Sequence, residues 1–219
     1  VAQVRLRSAL ATLGLVVLSI ASLIAVDIFL ARLERAETKA QARSFFREAQ
    51  QFINEKHYAE AIDRLEDALL IDRDNRGYSD ALAESQFASG KLDDAQRTLN
   101  GLLESDSTDG LANLLLARVL LQKKEVSAAI SHYHRAIYGE WPSDAARSRT
   151  EARFELIDVL SRENNNEQLM AELLPVQDQA SRDPQVAHRL GTLFLRAGSP
   201  GRAATMFREL VKKNPSDAA

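Results

Sequence analysis

AIDRLEDALL (residues 61–70), AQRTLNGLLE (95–104) and AISHYHRAIY (129–138) each open on an alanine, and the three alanines stand 34 residues apart. Four positions after each comes a large residue, Leu65, Leu99 or Tyr133, and three further on an Ala or Leu, at Ala68, Leu102 and Ala136. The register also extends backwards. A small residue and then a larger one precede each alanine, as Ala49 and Phe52, Ala83 and Gln86, Ala117 and Leu120. Gly191, Phe194, Ala203, Phe207 and Leu210 repeat the pattern near the C-terminus, closed by Pro215. A fixed period in this size range marks an array of stacked supersecondary units.

The physical content of the pattern is steric. Two antiparallel helices approach closely only where both carry small side chains, so Ala49 against Ala61 and Gly191 against Ala203 are read as crossing points. Phe52, Leu65, Phe194 and Phe207 fill the space beside them. Lys56-His57-Tyr58, Gly90-Lys91-Leu92 and Gly198-Ser199-Pro200-Gly201 separate the two helices of their units. One helix pair cannot bury its apolar face alone, and stacking pairs shares a continuous core.

Working outward, the spacing divides residues 42–217 into units at 42–75, 76–109, 110–143, 144–183 and 184–217. Between Ala129 and Ala203 lie 74 residues, one ordinary unit and one stretched to about 40. The stretched unit at 144–183 turns at Asn164-Asn165-Asn166, and Pro175 is expected to kink its second helix by removing a backbone donor. Composition agrees with a helical array. With only nine Gly and five Pro in 219 residues, the chain lacks the punctuation of turn-rich β folds. Twenty-eight basic against 31 acidic residues excludes the basic footprint of a nucleic-acid binder. Zero cysteines exclude disulfide frameworks, thiolate metal sites and cysteine nucleophiles.

The N-terminus reads differently. Ser8 to Val26 is uncharged, and apolar character resumes after Asp27 through Ala31. Nineteen helical residues cover about 28 Å, close to the hydrocarbon thickness of a bilayer. The expectation is a short basic tail at 1–7, a transmembrane helix at 8–31 acting as signal anchor, and a helical stalk at 32–41. The other reading is a cleaved signal peptide with Arg5 and Arg7 before it and Ser19-Ile20-Ala21 as the cleavage site. Arg32, Arg35, Lys39, Arg43 and Arg47 after the span outnumber Arg5 and Arg7 before it, which argues for a cytoplasmic array. A short charged tail leading into an apolar run has the style of a bacterial signal anchor, and the expectation adopted is a single-pass inner-membrane protein with the array in the periplasm.

With the small-residue spacing, ALLIDRDN (68–75) and ELVKKNPSD (209–217) resemble the tetratricopeptide repeat family over about residues 42–217, the second unit most weakly because Gln86 stands where an aromatic is expected. The fold the resemblance implies is all-α, a right-handed superhelical array of helix-turn-helix repeats, here preceded by the transmembrane helix. It further implies a concave groove lined by the first helix of each pair and holding an extended peptide or a partner's helix. The groove positions would be Phe46, Gln50 and Ile53; Asp80, Glu84 and Phe87; Leu114, Arg118 and Leu121; and His188, Thr192 and Leu195. Arg118 and Glu84 would orient the bound segment. Members that grip chaperone carboxylates use Lys, Asn and Arg at places where this chain has Phe46, Gln50, Ala81, Leu111 and Leu115, so that activity is not implied.

Residues for catalysis are missing from the pattern. His132 and His134 flank Tyr133, and side chains two apart on a helix point some 200° apart, so they share no metal face. His57 and His188 have no carboxylate at ligand spacing, and acid pairs such as Asp93-Asp94 and Glu66-Asp67 read as solvated helix surface. No G-x-S-x-G or phosphate-cradling glycine loop occurs. Trp141-Pro142 reads as a cap on the third unit. The expectation is therefore a non-enzymatic, cofactor-free and metal-free scaffold, membrane-anchored, binding a protein or peptide partner in envelope assembly or protein trafficking, with no nucleic acid and no small-molecule substrate. The alternative is the non-catalytic portion of a larger enzyme such as a transferase.

Overall fold

The computed structural model describes the backbone of residues 2–181 and 184–213, and the side chains of residue 22 and of residues 24–34, 36–178 and 184–212. Helices follow one another as α1 (Ala2–Asn54), α2 (Tyr58–Ile71), α3 (Arg76–Ala88), α4 (Leu92–Ser105), α5 (Gly110–Gln122), α6 (Val126–Tyr138), α7 (Ala145–Arg162), α8 (Asn166–Leu173), α9 (Pro184–Arg196) and α10 (Pro200–Lys213). The chain divides into two compact units, Val1–Ser89 and Gly90–Ala219.

In the first unit α1 packs on α2, and α2 on α3. Among the described side chains of α1 the first buried one is Ala42, and both crossing alanines, Ala49 and Ala61, are fully buried. Leu65, Ile62 and Leu82 close around them. One turn away the Phe46 and Tyr78 rings meet at 4.8 Å between centroids. Each fully buried Leu or Ile stabilises such a small cluster by roughly 1.5–3 kcal/mol.

In the second unit one continuous core runs from Leu114 to Ala203, with Tyr133, Leu156, Leu160, Leu169, Leu173, Leu190 and Phe194 all at or below 1% exposure. Its small residues sit where sterics demand. A Cβ on Gly191 would lie 2.7 Å from the Phe207 ring, and one on Gly110 2.4 Å from the Trp141 indole. Trp141 donates its indole N–H to the Ala136 carbonyl at 2.9 Å, so it does cap the third helix pair.

The turns repeat as regularly as the helices. Lys56, Gly90, Lys124, Asn164 and Gly198 all have positive φ, between 56° and 80°, and their numbers step by 34, 34, 40 and 34. At four of them the next N–H reaches back to a carbonyl in the helix just ended: His57 to Phe52, Glu125 to Leu120, Asn165 to Leu160 and Ser199 to Phe194. This left-handed cap satisfies helix-end carbonyls and reverses the chain in a few residues. The six extra residues of the stretched unit therefore lie before its turn, between Lys124 and Asn164. Pro175 marks a change of helix type: α8 ends at Leu173 and continues as a 3-10 helix over Leu174–Ser181, a tighter coil in which one missing donor is tolerated at the junction.

The expected transmembrane helix, and with it the placement in a bacterial inner membrane with a periplasmic array, is corrected. Among the described residues no helix is long and apolar enough to cross a membrane. In the described part of α1, Asp27, Arg32 and Glu34 interrupt the apolar residues before a window of membrane length is reached. Most of the stretch 8–31 on which the expectation rested, and the tail 1–7, lies outside the residues whose side chains are described.

Candidate functional site

The first helices of the two units carry the expected groove residues, and the structure sorts them. In the first unit Gln50 and Glu84 are exposed on α1 and α3, and Phe87 is half-buried. Asp80 is half-buried and accepts from the Arg76 guanidinium at 3.4 Å. Loss of hydration pushes its carboxyl above the usual range, and Arg76 pulls the other way. In the second unit Leu114 is 5% exposed and belongs to the core, and Leu121 packs against that core. His188 stands exposed with its ring 5.8 Å from that of Phe207, and Thr192 bonds back to the His188 carbonyl.

Arg118 is where sequence reasoning and structure part most. Its guanidinium grips Glu155 of α7 bidentately, Nε donating at 3.0 Å and a terminal nitrogen at 2.6 Å. The Tyr133 hydroxyl of α6 donates to the same carboxylate at 2.9 Å. Burial first, and then the negative charge of Glu155, pushes the Tyr133 hydroxyl far up, so it remains a neutral donor. Three helices are thus tied at one carboxylate, a geometry in which a planar guanidinium outperforms an ammonium.

Two more polar knots lie in the same unit. Glu172 of α8, nearly buried, accepts from Arg153 at 2.9 Å with His134 at 3.6 Å. Fully buried Asn113 donates its amide to the Ser107 and Asp109 carbonyls, leaving its oxygen for His132 Nδ1 at 2.9 Å. That assignment makes Nδ1 the protonated nitrogen of His132. Burial, and then Arg135, pulls this imidazole below its ordinary value. His132 opens on a cleft of about 680 Å³ beside Asn100, Glu104 and Arg135. The two histidines do face apart, His132 toward Asn113 of α5 and His134 toward Glu172 of α8. Among the described residues no three His, Asp or Glu gather as metal ligands.

The polar contacts between first helices that the sequence reading missed lie on α7. Asp158 pairs with Arg189 of α9 at 2.5 Å, and the Arg189 guanidinium also lies 5.3 Å from the centre of the Phe154 ring. Arg196, the last residue of α9, donates to the Ser161 hydroxyl at 3.1 Å. Arg162, the last residue of α7, turns its Nε to the Asp158 carbonyl at 3.1 Å. Together with Arg118 and Glu155 these contacts set α5, α7 and α9 side by side as a ladder. The signal was available: carrying the groove register through the Asn164 turn places Asp158 and Arg162 in step with Arg118 and Gln122.

The family model described as tetratricopeptide repeat matches residues 81–145 and 188–219. Among solved structures, MamA is similar at 17% identity over 81% of this chain and 94% of that one, with a TM-score of 0.63. MamA of Desulfovibrio magneticus RS-1 gives 15% identity over 82% and 98%, with a TM-score of 0.62. YrrB, described as a tetratricopeptide repeat protein with an unusual peptide-binding site, gives 16% identity over 86% and 93%, with a TM-score of 0.58. No curated protein matches the chain in sequence. At these identities the structural likeness speaks for the fold alone.

Proposed function

We propose that this chain, a tetratricopeptide repeat protein, is an interaction scaffold that holds an extended segment of a partner protein against its first helices. The observation that carries the reading is the ladder of α5, α7 and α9, locked laterally by Arg118 to Glu155 and Asp158 to Arg189. A face fixed before the partner arrives loses little entropy on binding, which favours recognition. The peptide-binding site named for the similarly folded YrrB supports the reading.

Within this function the expected residues take different parts. Leu114 and Leu121 support the face from within. Arg118 is a structural tie before it is a contact, and Thr192, His188 and the half-exposed Leu195 present themselves outward on α9. Gln50, Asp80, Glu84 and Phe87 play the corresponding part in the first unit.

Position-dependent crosslinking tests the proposal. A photoreactive residue at Leu195 should capture a partner segment in native extract, and the same residue at Arg208 on α10 should not. Identical adducts from both positions would remove the first helices as the binding face.

A further inference from the structure

The three first helices of the second unit carry three carboxylates, and all three are engaged. Glu151 takes Arg147, Glu155 takes Arg118 and Asp158 takes Arg189. α5 and α9 contain no Asp or Glu. Arg149 and Arg153 of α7 are directed elsewhere, to the Gly139 carbonyl and to Glu172. Of the guanidiniums on these three helices, Arg149, Arg162 and Arg196 form no ion pair among the described residues; Arg149 is turned to the Gly139 carbonyl on another segment, while the other two close their helices, Arg162 bonded to a backbone carbonyl of its own helix and Arg196 to the Ser161 hydroxyl. Glu163, next along the chain from Arg162, forms an ion pair with neither.

These two arginines are equivalent residues of successive units, 34 apart, each closing its helix. Arg196 reaches across to α7 at Ser161, the residue that precedes Arg162 in the chain. Leu195, half-exposed at 50%, is immediately adjacent. A basic residue in a last turn also favours its own helix through the macrodipole. That term does not require one here, since α5 ends in Gln122 at the same register.

Resting on the groove reading above, we infer that Arg162 and Arg196 form a two-guanidinium subsite of this face that selects an acidic partner segment, one bearing side-chain carboxylates next to an apolar residue. Each guanidinium offers a fork of donors matched to a carboxylate. Leu195 offers the apolar neighbour. Charge complementarity chooses the occupant: the carboxylates of α7 are engaged by Arg147, Arg118 and Arg189, so the partner supplies those that Arg162 and Arg196 take.

The test is fluorescence anisotropy with a labelled, end-blocked peptide in which glutamate alternates with leucine, and with its glutamine analogue. The full chain should bind the glutamate peptide, and Arg162→Gln with Arg196→Gln should weaken it about tenfold or more. Arg162→Lys with Arg196→Lys keeps the helix-end charge and the thermal midpoint, yet should still weaken binding severalfold because the forks are gone. Arg208→Gln should change nothing. Absence of binding by the unaltered chain, equal binding by the double glutamine variant, or an equally tight glutamine analogue carrying a free C-terminal carboxylate would each overturn the inference. If both end-blocked peptides bind alike and both are lost in Leu195→Ser, the groove reading stands and the acidic subsite fails. If binding responds to Arg208→Gln and not to the pair, the groove reading fails as well. Concentration-dependent dimerisation abolished by the double variant, with no peptide bound, would assign the arginines to a second copy and overturn the peptide reading.

Discussion

Arg118 and Glu155, 37 residues apart in sequence, meet as a bidentate pair with Tyr133 bonded to the same carboxylate. Both side chains keep about a third of their surface in water, at 36% and 33%. Their contribution is therefore smaller than that of a dry pair. Glu155→Ala should cost about 1–2 kcal/mol, as expected for charge-assisted bonds discounted for solvent. Urea denaturation of the single and double Arg118 and Glu155 variants measures it, and a coupling energy near zero would show that the pair ties nothing together.

Ala129 is fully buried at a helix crossing. Ala129→Leu should overpack the crossing and cost about 1–3 kcal/mol. Ser131→Leu, two residues along on exposed surface, should leave the denaturation midpoint nearly unchanged. Equal effects at the two positions would show that the crossing lies elsewhere.

The Gly110 site has a built-in reporter, because Trp141 is the chain's only tryptophan. A methyl on Gly110 would stand 2.4 Å from the indole, so Gly110→Ala must displace it. The expected outcome is a red-shifted emission maximum and a loss of about 1–3 kcal/mol. Unchanged emission would mean that the indole does not sit against Gly110.

Lys56 and Lys124 hold left-handed conformations at turns where Gly90 and Gly198 stand in other units. A left-handed L-residue costs roughly 1–2 kcal/mol, partly offset by the greater unfolded freedom of glycine. Lys124→Gly should therefore raise the thermal midpoint, and Gly90→Ala should lower it. Opposite signs would mean that these turns are not held in that conformation.

His132 gives the fold a pH dependence of known sign. Its folded pKa lies below the ordinary 6.5, so the fold favours the neutral ring. The stability this provides is complete above pH about 6.5 and is lost as the pH falls through the folded pKa. Asp80, whose pKa is raised, acts in the opposite sense at more acid pH. Between pH 7 and pH 5 the wild type should lose stability faster than His132→Gln. Parallel curves would dissociate the effect from this ring.

The helical array was legible because its determinants are local and steric. A crossing admits only a small side chain, and a reversal admits only a residue able to turn left-handed, so Ala61, Ala95, Ala129, Gly90 and Gly198 recur in step whatever surrounds them. The apolar run near the N-terminus was legible only as composition, and the membrane span read from it did not survive. What tertiary structure alone decided is the pairing of the polar groups. Arg118 looks like a free orienter in sequence. Its partner lies on the next first helix, in a stretched unit where the 34-residue step gives the wrong register, and a charge's worth depends on which opposite charge packing brings within about 4 Å. Periodicity fixes which residues face a neighbouring helix. Only the packed helices fix which arginines already hold a carboxylate, as Arg118, Arg153 and Arg189 do, and which, like Arg162 and Arg196, form no ion pair among the described residues.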